Sequence, residues 1–209
     1  MEEKLQKVAD DFLKRVQEKL PAGKADKPFI VGIVGMIGSG KTTFCWELIK
    51  HLKGAVMVQS NGGRYLLERP KFSWGPTVRE TTFYVARWCL ENGYTVVFDG
   101  DHVDEDKREN TQKLADELGV KFYLLHLKIS PETAEKRLDE KYSQPHEENF
   151  WDYWLDTNAE DMKQNMRDRI PEHEKTEQEK PKYFAEFENK GTKEGLKQKA
   201  VEIAKKIQE

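Results

Sequence analysis

Gly35-Met36-Ile37-Gly38-Ser39-Gly40-Lys41-Thr42 brings three glycines, a lysine and a hydroxyl into eight residues. The spacing is G-x-x-x-x-G-K-[ST], and its chemistry is that of holding phosphate. Glycines let consecutive backbone N–H groups wrap phosphate oxygens. A helix beginning at Lys41 adds unpaired amide donors and a partial positive charge. Lys41 then reaches the outer phosphates, and the Thr42 hydroxyl is placed to ligate Mg²⁺. Gly35, Gly38, Ser39, Gly40, Lys41, Thr42 and Thr43 form the candidate ATP-binding loop.

In sheets of this class ligands bind at the carboxyl ends of strands. Two further segments occupy such positions. One is Ser60-Asn61-Gly62-Gly63-Arg64, after the apolar run Ala55–Gln59. The other is Asp99-Gly100-Asp101-His102, after Thr95-Val96-Val97-Phe98. An acid at Asp99 is suited to hold Mg²⁺, directly or through water. Asp101, two residues on, is suited to act as base toward an acceptor hydroxyl. The alternative is a cap, in which Asp101 or Asp104 starts the following helix. Asn61, Arg64 and Asp101 are the candidate acceptor-binding residues. Arg64 can clamp a phosphate or carboxylate bidentately, and the Gly62-Gly63 pair before it allows close backbone approach.

Transferring a phosphoryl group spreads negative charge over its equatorial oxygens, which a closing arginine offsets. Arg137 is the first candidate, as a catalytic and ATP-binding residue. Arg169 is the second, followed by Arg167. Arg79 and Arg87 read as solvated or ion-paired. The catalytic set is therefore Lys41, Asp99, Asp101 and Arg137, and the metal set is Thr42 and Asp99.

These residues need a frame. Phe29–Val34 is a short apolar run ahead of the glycine loop, and Thr43–Leu52 has helical spacing. Alternation continues with a helix over Thr77–Glu91, the strand at Thr95–Phe98, a helix over Glu105–Leu118 and a strand over Lys121–Ile129. A helix beginning at Pro131–Asp139, a strand at Ala185–Glu188 and a helix over Lys193–Ile207 complete it. Strands alternating with helices predict a three-layer α/β/α domain with a parallel five-stranded sheet. Residues 1–22 add an amphipathic helix, its stripe being Leu5, Val8, Phe12, Val16 and Leu20. Residues 140–182 are polar and acidic on balance and read as a lid. Within them Asp156–Ile170 is a candidate helix and Pro171–Pro181 a turn region. Asn149–Trp154 is aromatic-dense, either packing or a ring that closes the pocket. The expectation is one domain over 1–209.

The chain has 209 residues, 35% of them charged, and a formal charge of −3. That balance points to no surface built for polyanions over the whole chain, although it does not locate charge. Cys45 and Cys89 stand far apart and form no metal-ligand spacing, so they read as buried thiols in a reducing compartment. No apolar run approaches the roughly 20 residues of a membrane span. The N-terminus is charged from Glu2 onward, so no secretory signal and no membrane partner are expected, and the location expected is cytoplasmic.

On these motifs the chain resembles the P-loop kinase group: polynucleotide-kinase-like and zeta-toxin-like proteins of the AAA_33 type. It is also similar to dephospho-coenzyme A kinase and to nucleoside monophosphate kinases such as adenylate kinase. The resemblance runs from about Phe29 to Ile207, and the glycine loop is its specific part. The stretch Val96–His102, continuing to Lys107-Arg108, looks like the third-strand segment of polynucleotide-kinase-like proteins. Where those usually carry an Asp-Thr-Asn-type triplet, this chain has Gly100-Asp101-His102. Arg167-Asp168-Arg169-Ile170 and the later Glu188–Thr192 resemble the tail of dephospho-coenzyme A kinases, where the late segment helps hold adenine.

One departure matters. Polynucleotide kinases of this group place a basic aspartate after the second strand, a few residues before an arginine. Arg64 fits that arginine, but the aspartate's place is held by Asn61, which cannot be a base. Either Asp99 or Asp101 does that work, or the acceptor differs.

The resemblance implies strand order 2-3-1-4-5, with ATP and Mg²⁺ as cofactors. It implies transfer of the γ-phosphate to a hydroxyl of a nucleotide-like or other small-molecule acceptor. The alternatives are a 5′-hydroxyl polynucleotide kinase, with nucleic acid as acceptor, and an ATPase or nucleotide switch with none. Monomer and homodimer are both compatible.

Overall fold

The computed structural model describes residues 3–66, 75–143, 158–189 and 192–209. Five strands form one sheet in the order β2-β3-β1-β4-β5: β1 (Phe29–Val34), β2 (Ala55–Gln59), β3 (Thr95–Asp101), β4 (Lys121–Lys128) and β5 (Ala185–Glu188). Every pairing is parallel. A parallel sheet is buried on both faces, so its strands read as near-continuous apolar runs.

Strand side chains alternate between faces, and the core divides accordingly. Val31, Ile33, Met57, Val97, Leu125 and Leu127 point to one face. There they meet Phe44, Cys45 and Leu48 of α2 (Lys41–Lys50), and Leu196, Ala200 and Ile203 of a C-terminal helix (Lys193–Gln208). Ile30, Val56, Val58, Val96 and Phe98 point the other way. They meet α1 (Glu3–Gln17) and two further helices, Pro76–Glu91 and Glu105–Leu118. The result is the three-layer α/β/α arrangement. The added N-terminal helix buries Leu5, Ala9, Phe12, Leu13 and Val16 and packs against the helix Pro76–Glu91. Cys45 and Cys89 are both free and buried.

Numbered in chain order, the helices between β2 and β5 are α3 (Ser60–Leu66), α4 (Pro76–Glu91), α5 (Glu105–Leu118), α6 (Pro131–Tyr142), α7 (Ala159–Asp168) and α8 (Ile170–Glu179); the C-terminal helix is α9. Two differ from the sequence reading. Ser60–Leu66 is a helix continuing directly from β2, not a turn. Its glycines are buried, and a Cβ on Gly63 would lie 2.8 Å from Thr81 Oγ1 of α4. Gly63 therefore serves close helix packing. Ile170–Glu179 is a helix where a turn region was expected. Pro171 occupies its first turn, where a missing N–H costs nothing and the fixed φ suits the helix. The candidate helix Asp156–Ile170 begins at Ala159 in the described residues and ends at Asp168. The aromatic stretch Asn149–Trp154 lies outside them.

Candidate nucleotide and acceptor site

β1 runs into a tight loop in which Gly38 and Gly40 have φ of 83° and 95°. A side chain strains that left-handed backbone, which explains glycine at both places. Gly40 is the N-cap of α2. The first-turn amides of Lys41, Thr42 and Thr43 have no intrahelical partner and face the loop's interior. Lys41 Nζ folds along the loop and donates to the carbonyls of Gly35 and Met36, the latter at 3.0 Å. Ser39 is fully buried, and its amide donates to the carbonyl of Met36 at 3.0 Å.

Thr42 Oγ1 donates to Asp99 Oδ1 at 3.0 Å. On the neighbouring strand Gln59 is in register with Asp99, and its Nε2 donates to Oδ2 at 2.9 Å. Burial raises the Asp99 pKa, and the hydrogen bonds from Gln59 and Thr42, with the charge of Lys41, work against that rise. A hydroxyl and a carboxylate so close beside a phosphate loop are hard oxygen donors, a set that suits Mg²⁺.

Asp101 stands differently. Between Val31/Ile33 of β1 and Val97/Asp101 of β3 the register shifts, so the end of β3 is offset from its partner. Asp101 Oδ1 accepts from the amides of Gly35 at 3.1 Å and Val103 at 3.2 Å. His173 Nε2 of α8 lies 3.0 Å from Oδ2. Burial pushes this carboxyl up, but Lys41, His173 and Arg169 outweigh it and hold it well below its ordinary value. A carboxylate with three partners and a depressed pKa makes a brace for the loop. Asp104 holds the N-cap position of α5 without a side-chain cap bond. Its oxygens instead receive Arg169 Nη2 at 3.1 and 3.0 Å.

The arginines separate into groups. Arg137 on α6 donates to the carbonyls of Gly38 and Ser39 at 3.4 and 3.3 Å, and to Asn189 Oδ1 at 3.0 Å. It clasps the outside of the loop to the end of β5 instead of standing in a lid. Asn189 Nδ2 adds a bond to Ser39 O at 2.7 Å. Arg169 is held by Asp104 and by Glu172 at 2.8 Å, across the crevice from the loop. Arg167 pairs with Glu135 and Glu160, Arg79 with Asp106, and Arg87 with Glu91 and Glu117. Arg64 donates to Asn61 Oδ1 at 3.1 Å. Burial, with Arg169 nearby, lowers its pKa to about 10.

The structure thus gathers Gly35, Gly38, Ser39, Gly40, Lys41, Thr42, Thr43, Asp99 and Asp101 around one loop. Asn61 and Arg64 meet each other, and Arg169, expected at the ATP, acts electrostatically on both Arg64 and Asp101. Gln59, Lys107, Asn189 and His173 join without having been singled out. Gln59 carried a signal, a polar residue closing an apolar strand. His173 carried none, because its partner is distant in sequence.

The sequence matches the family AAA_33, described as "AAA domain", over residues 30–160. That is more than half of the chain, and the chain belongs to this family. No curated protein sequence matches it. Solved structures of similar fold include a gluconokinase from Sinorhizobium meliloti, 12% identical, with a TM-score of 0.57, covering 88% of this chain and 95% of that one. A structure from the PezAT chromosomal toxin-antitoxin system of Streptococcus pneumoniae is 13% identical, with a TM-score of 0.58, covering 99% and 95%. The Deinococcus radiodurans tunicamycin resistance protein is 17% identical, with a TM-score of 0.55, covering 87% and 96%.

Proposed function

We propose that this AAA_33 chain is an ATP-dependent, Mg²⁺-dependent phosphotransferase that moves the γ-phosphate to a hydroxyl of a small-molecule acceptor. The observation that carries the reading is the Thr42–Asp99 pair beside the glycine loop, with the cation Arg64, which meets the neutral Asn61 and no carboxylate among the described residues. A plain nucleotide switch has no need of that cation. Kinases among the proteins of similar fold support the reaction class.

On this reading the first-turn amides of Lys41, Thr42 and Thr43 bind the phosphates and Lys41 neutralises the outer ones. Thr42 and Asp99 would hold Mg²⁺, which supplies further charge neutralisation. Arg137 keeps the loop's outer wall in place near the nucleotide, while Arg169 lends positive charge from the other side. Asn61 and Arg64 orient the acceptor. Phosphoryl transfer passes through a loose transition state dominated by positioning and electrostatics, so it does not demand a strong base. The acceptor's proton goes to one of the two carboxylates at the end of β3, Asp99 or Asp101.

Residues 1–209 would act as one kinase domain, with 1–22 as an added helix and 140–182 framing the acceptor. No helix among the described residues is long and apolar enough to cross a membrane. A cytoplasmic enzyme, monomeric or homodimeric, fits this. The test is γ-phosphate transfer from labelled ATP to a panel of nucleosides, coenzyme precursors, sugars and oligonucleotides. Transfer to a small acceptor that requires Lys41 supports the reading. ATP hydrolysis with no acceptor phosphorylated overturns it.

A further inference from the structure

Among the described residues, Arg64 lacks the carboxylate partner that Arg169 and His173 have. Asp104 is taken by Arg169, and Asp101 by His173 and two amides. Arg64 meets only the neutral Asn61, and no carboxylate pairs with it among the described residues. Its Nε is buried and unbonded there. Lys107, on α5, is 1% exposed, and its Nζ donates to Asp101 O at 2.7 Å. Ser60, at the start of α3, is 4% exposed, and its Oγ has no hydrogen-bond partner among the described residues.

Gly100 ties these groups to one place. A Cβ on it would sit 2.4 Å from Ser60 Oγ and 3.1 Å from Lys107 Nζ. A hydroxyl and an ammonium therefore pack against the same residue of β3, next to the loop's brace. Arg64 and Arg169 both act electrostatically on Lys107, and Arg169 on Arg64. Burial drives the Lys107 pKa down to about 7, while Asp101 and Asp104 oppose the fall. Cations that act on one another, with the buried unbonded Ser60 hydroxyl beside Lys107 at Gly100 and the unbonded Nε of Arg64 one helical turn on from Ser60, match what an oxyanion needs.

We infer that the acceptor carries one anionic group, a phosphate, sulfate or carboxylate, and that Arg64, Lys107 and Ser60 form its seat. This deepens the kinase reading and rests on it. The seat is buried and bordered by α8, which carries Glu172, Glu174, Glu177 and Glu179. A single charge on a small molecule is accommodated there, whereas a polyanion passing those acids is repelled. The division of labour is clear in each residue type. Arg64 supplies a planar fork for two oxygens, Lys107 a point charge, and Ser60 one donor without charge.

The experiment separates this seat from the phosphate loop by filling the loop first. Full-length protein is saturated with Mg²⁺ and a non-hydrolysable ATP analogue, then titrated calorimetrically with inorganic phosphate, sulfate or acetate. Ionic strength is kept constant with chloride. The expected result is saturable anion binding, weakened about tenfold or more in Arg64→Met and severalfold in Lys107→Gln and Ser60→Ala, with analogue affinity unchanged. Circular dichroism checks folding. Should Arg64→Met not fold, Arg64→Lys keeps the charge, loses the fork and carries the test.

Absence of saturable binding to the loaded protein overturns the inference, as does binding that none of the three substitutions alters. Salt-steep binding of single-stranded oligonucleotides in place of small anions overturns the choice of a small acceptor. Failure of the analogue itself to bind is a different outcome, because it removes the kinase reading as well.

Discussion

At the glycine loop the ligand-facing groups are main-chain amides, set by left-handed Gly38 and Gly40 and by the first turn of α2. Across the crevice they are the ends of long side chains, Arg64, Lys107 and Arg169, brought together from α3, α5 and the start of α8. The first arrangement is local: eight consecutive residues carry it, and Asp99, Asp101, Arg137 and Asn189 add hydrogen bonds from elsewhere. The second exists only after folding. The difference follows from what each side must do. A triphosphate is the same in every such reaction, so fixed dipoles serve it. An acceptor is particular, so its side of the crevice is written in side chains that can vary independently.

The largest effect is expected where one side chain does what the amides cannot. Lys41→Ala removes the mobile charge that follows the transferred group. The expected loss of transfer is roughly a hundred- to a thousand-fold, with little change in melting temperature. Initial rates and a thermal melt check both halves, and a rate near wild type breaks the contrast at its stronger side.

The two aspartates sharpen the same contrast. Asp99→Asn should lower activity or apparent magnesium affinity roughly ten- to a hundred-fold, the range for groups that orient a metal's surroundings. Asp104→Asn frees Arg169 and should act mainly on the acceptor's KM. Magnesium titrations of the two variants distinguish these roles, and identical profiles remove Asp99 from the metal.

What could be read in the chain follows the same division. The loop was legible because its backbone demands glycine, lysine and threonine at set spacing. The sheet was legible because Ile30/Val31, Val56/Met57 and Val96/Val97 alternate between two buried faces. Gly63 misled because glycine marks both close approach to a ligand and close approach of helices, and here Thr81 is what it approaches. Pro171 misled because proline stops a helix from inside but starts one well. His173 and Lys107 were silent. Neither type announces a site, and the contact of His173 with Asp101 bridges α8 and β3.

Asp101 links the two sides, and its removal should appear first in stability. Asp101→Asn leaves Gly35 and Val103 amides with a neutral acceptor and His173 without a charge to meet, at a cost of about 1–3 kcal/mol. Its carboxyl is held below the unfolded value, so its contribution is complete above the ordinary carboxylate range. The contribution fades as pH falls through the folded value. Chemical denaturation should give a gap between wild type and variant at about pH 7 that narrows with acidification below about pH 4. A gap that widens in acid contradicts the brace.

The smallest effect is expected to change sign, and it tests whether the acceptor side bears strain for the sake of a ligand. Lys107 is buried, and burial holds its ammonium near a pKa of about 7, below the ordinary lysine value. Below that pH the folded protein carries the full cost of an enclosed charge. As pH rises from about 7 toward about 10, the folded form sheds its proton while the unfolded chain retains it, so wild-type stability climbs. Lys107→Met has no charge to enclose, but it gives up the bond to Asp101 O. Near pH 6 the relief should outweigh the lost bond, leaving the variant more stable by about 1 kcal/mol. Near pH 11, above the unfolded value as well, that cost is gone, and the loss of the lysine's contacts should leave the variant the less stable by about the same amount. Thermal melts across this range should therefore cross. Adding inorganic phosphate near pH 6 to analogue-loaded protein should raise the wild-type melting temperature and leave the variant's nearly unmoved, because the anion is what compensates the ammonium. Parallel curves without a crossing would place Lys107 among ordinary solvated lysines, and the contrast between the two sides of the crevice would then rest on Arg64 alone.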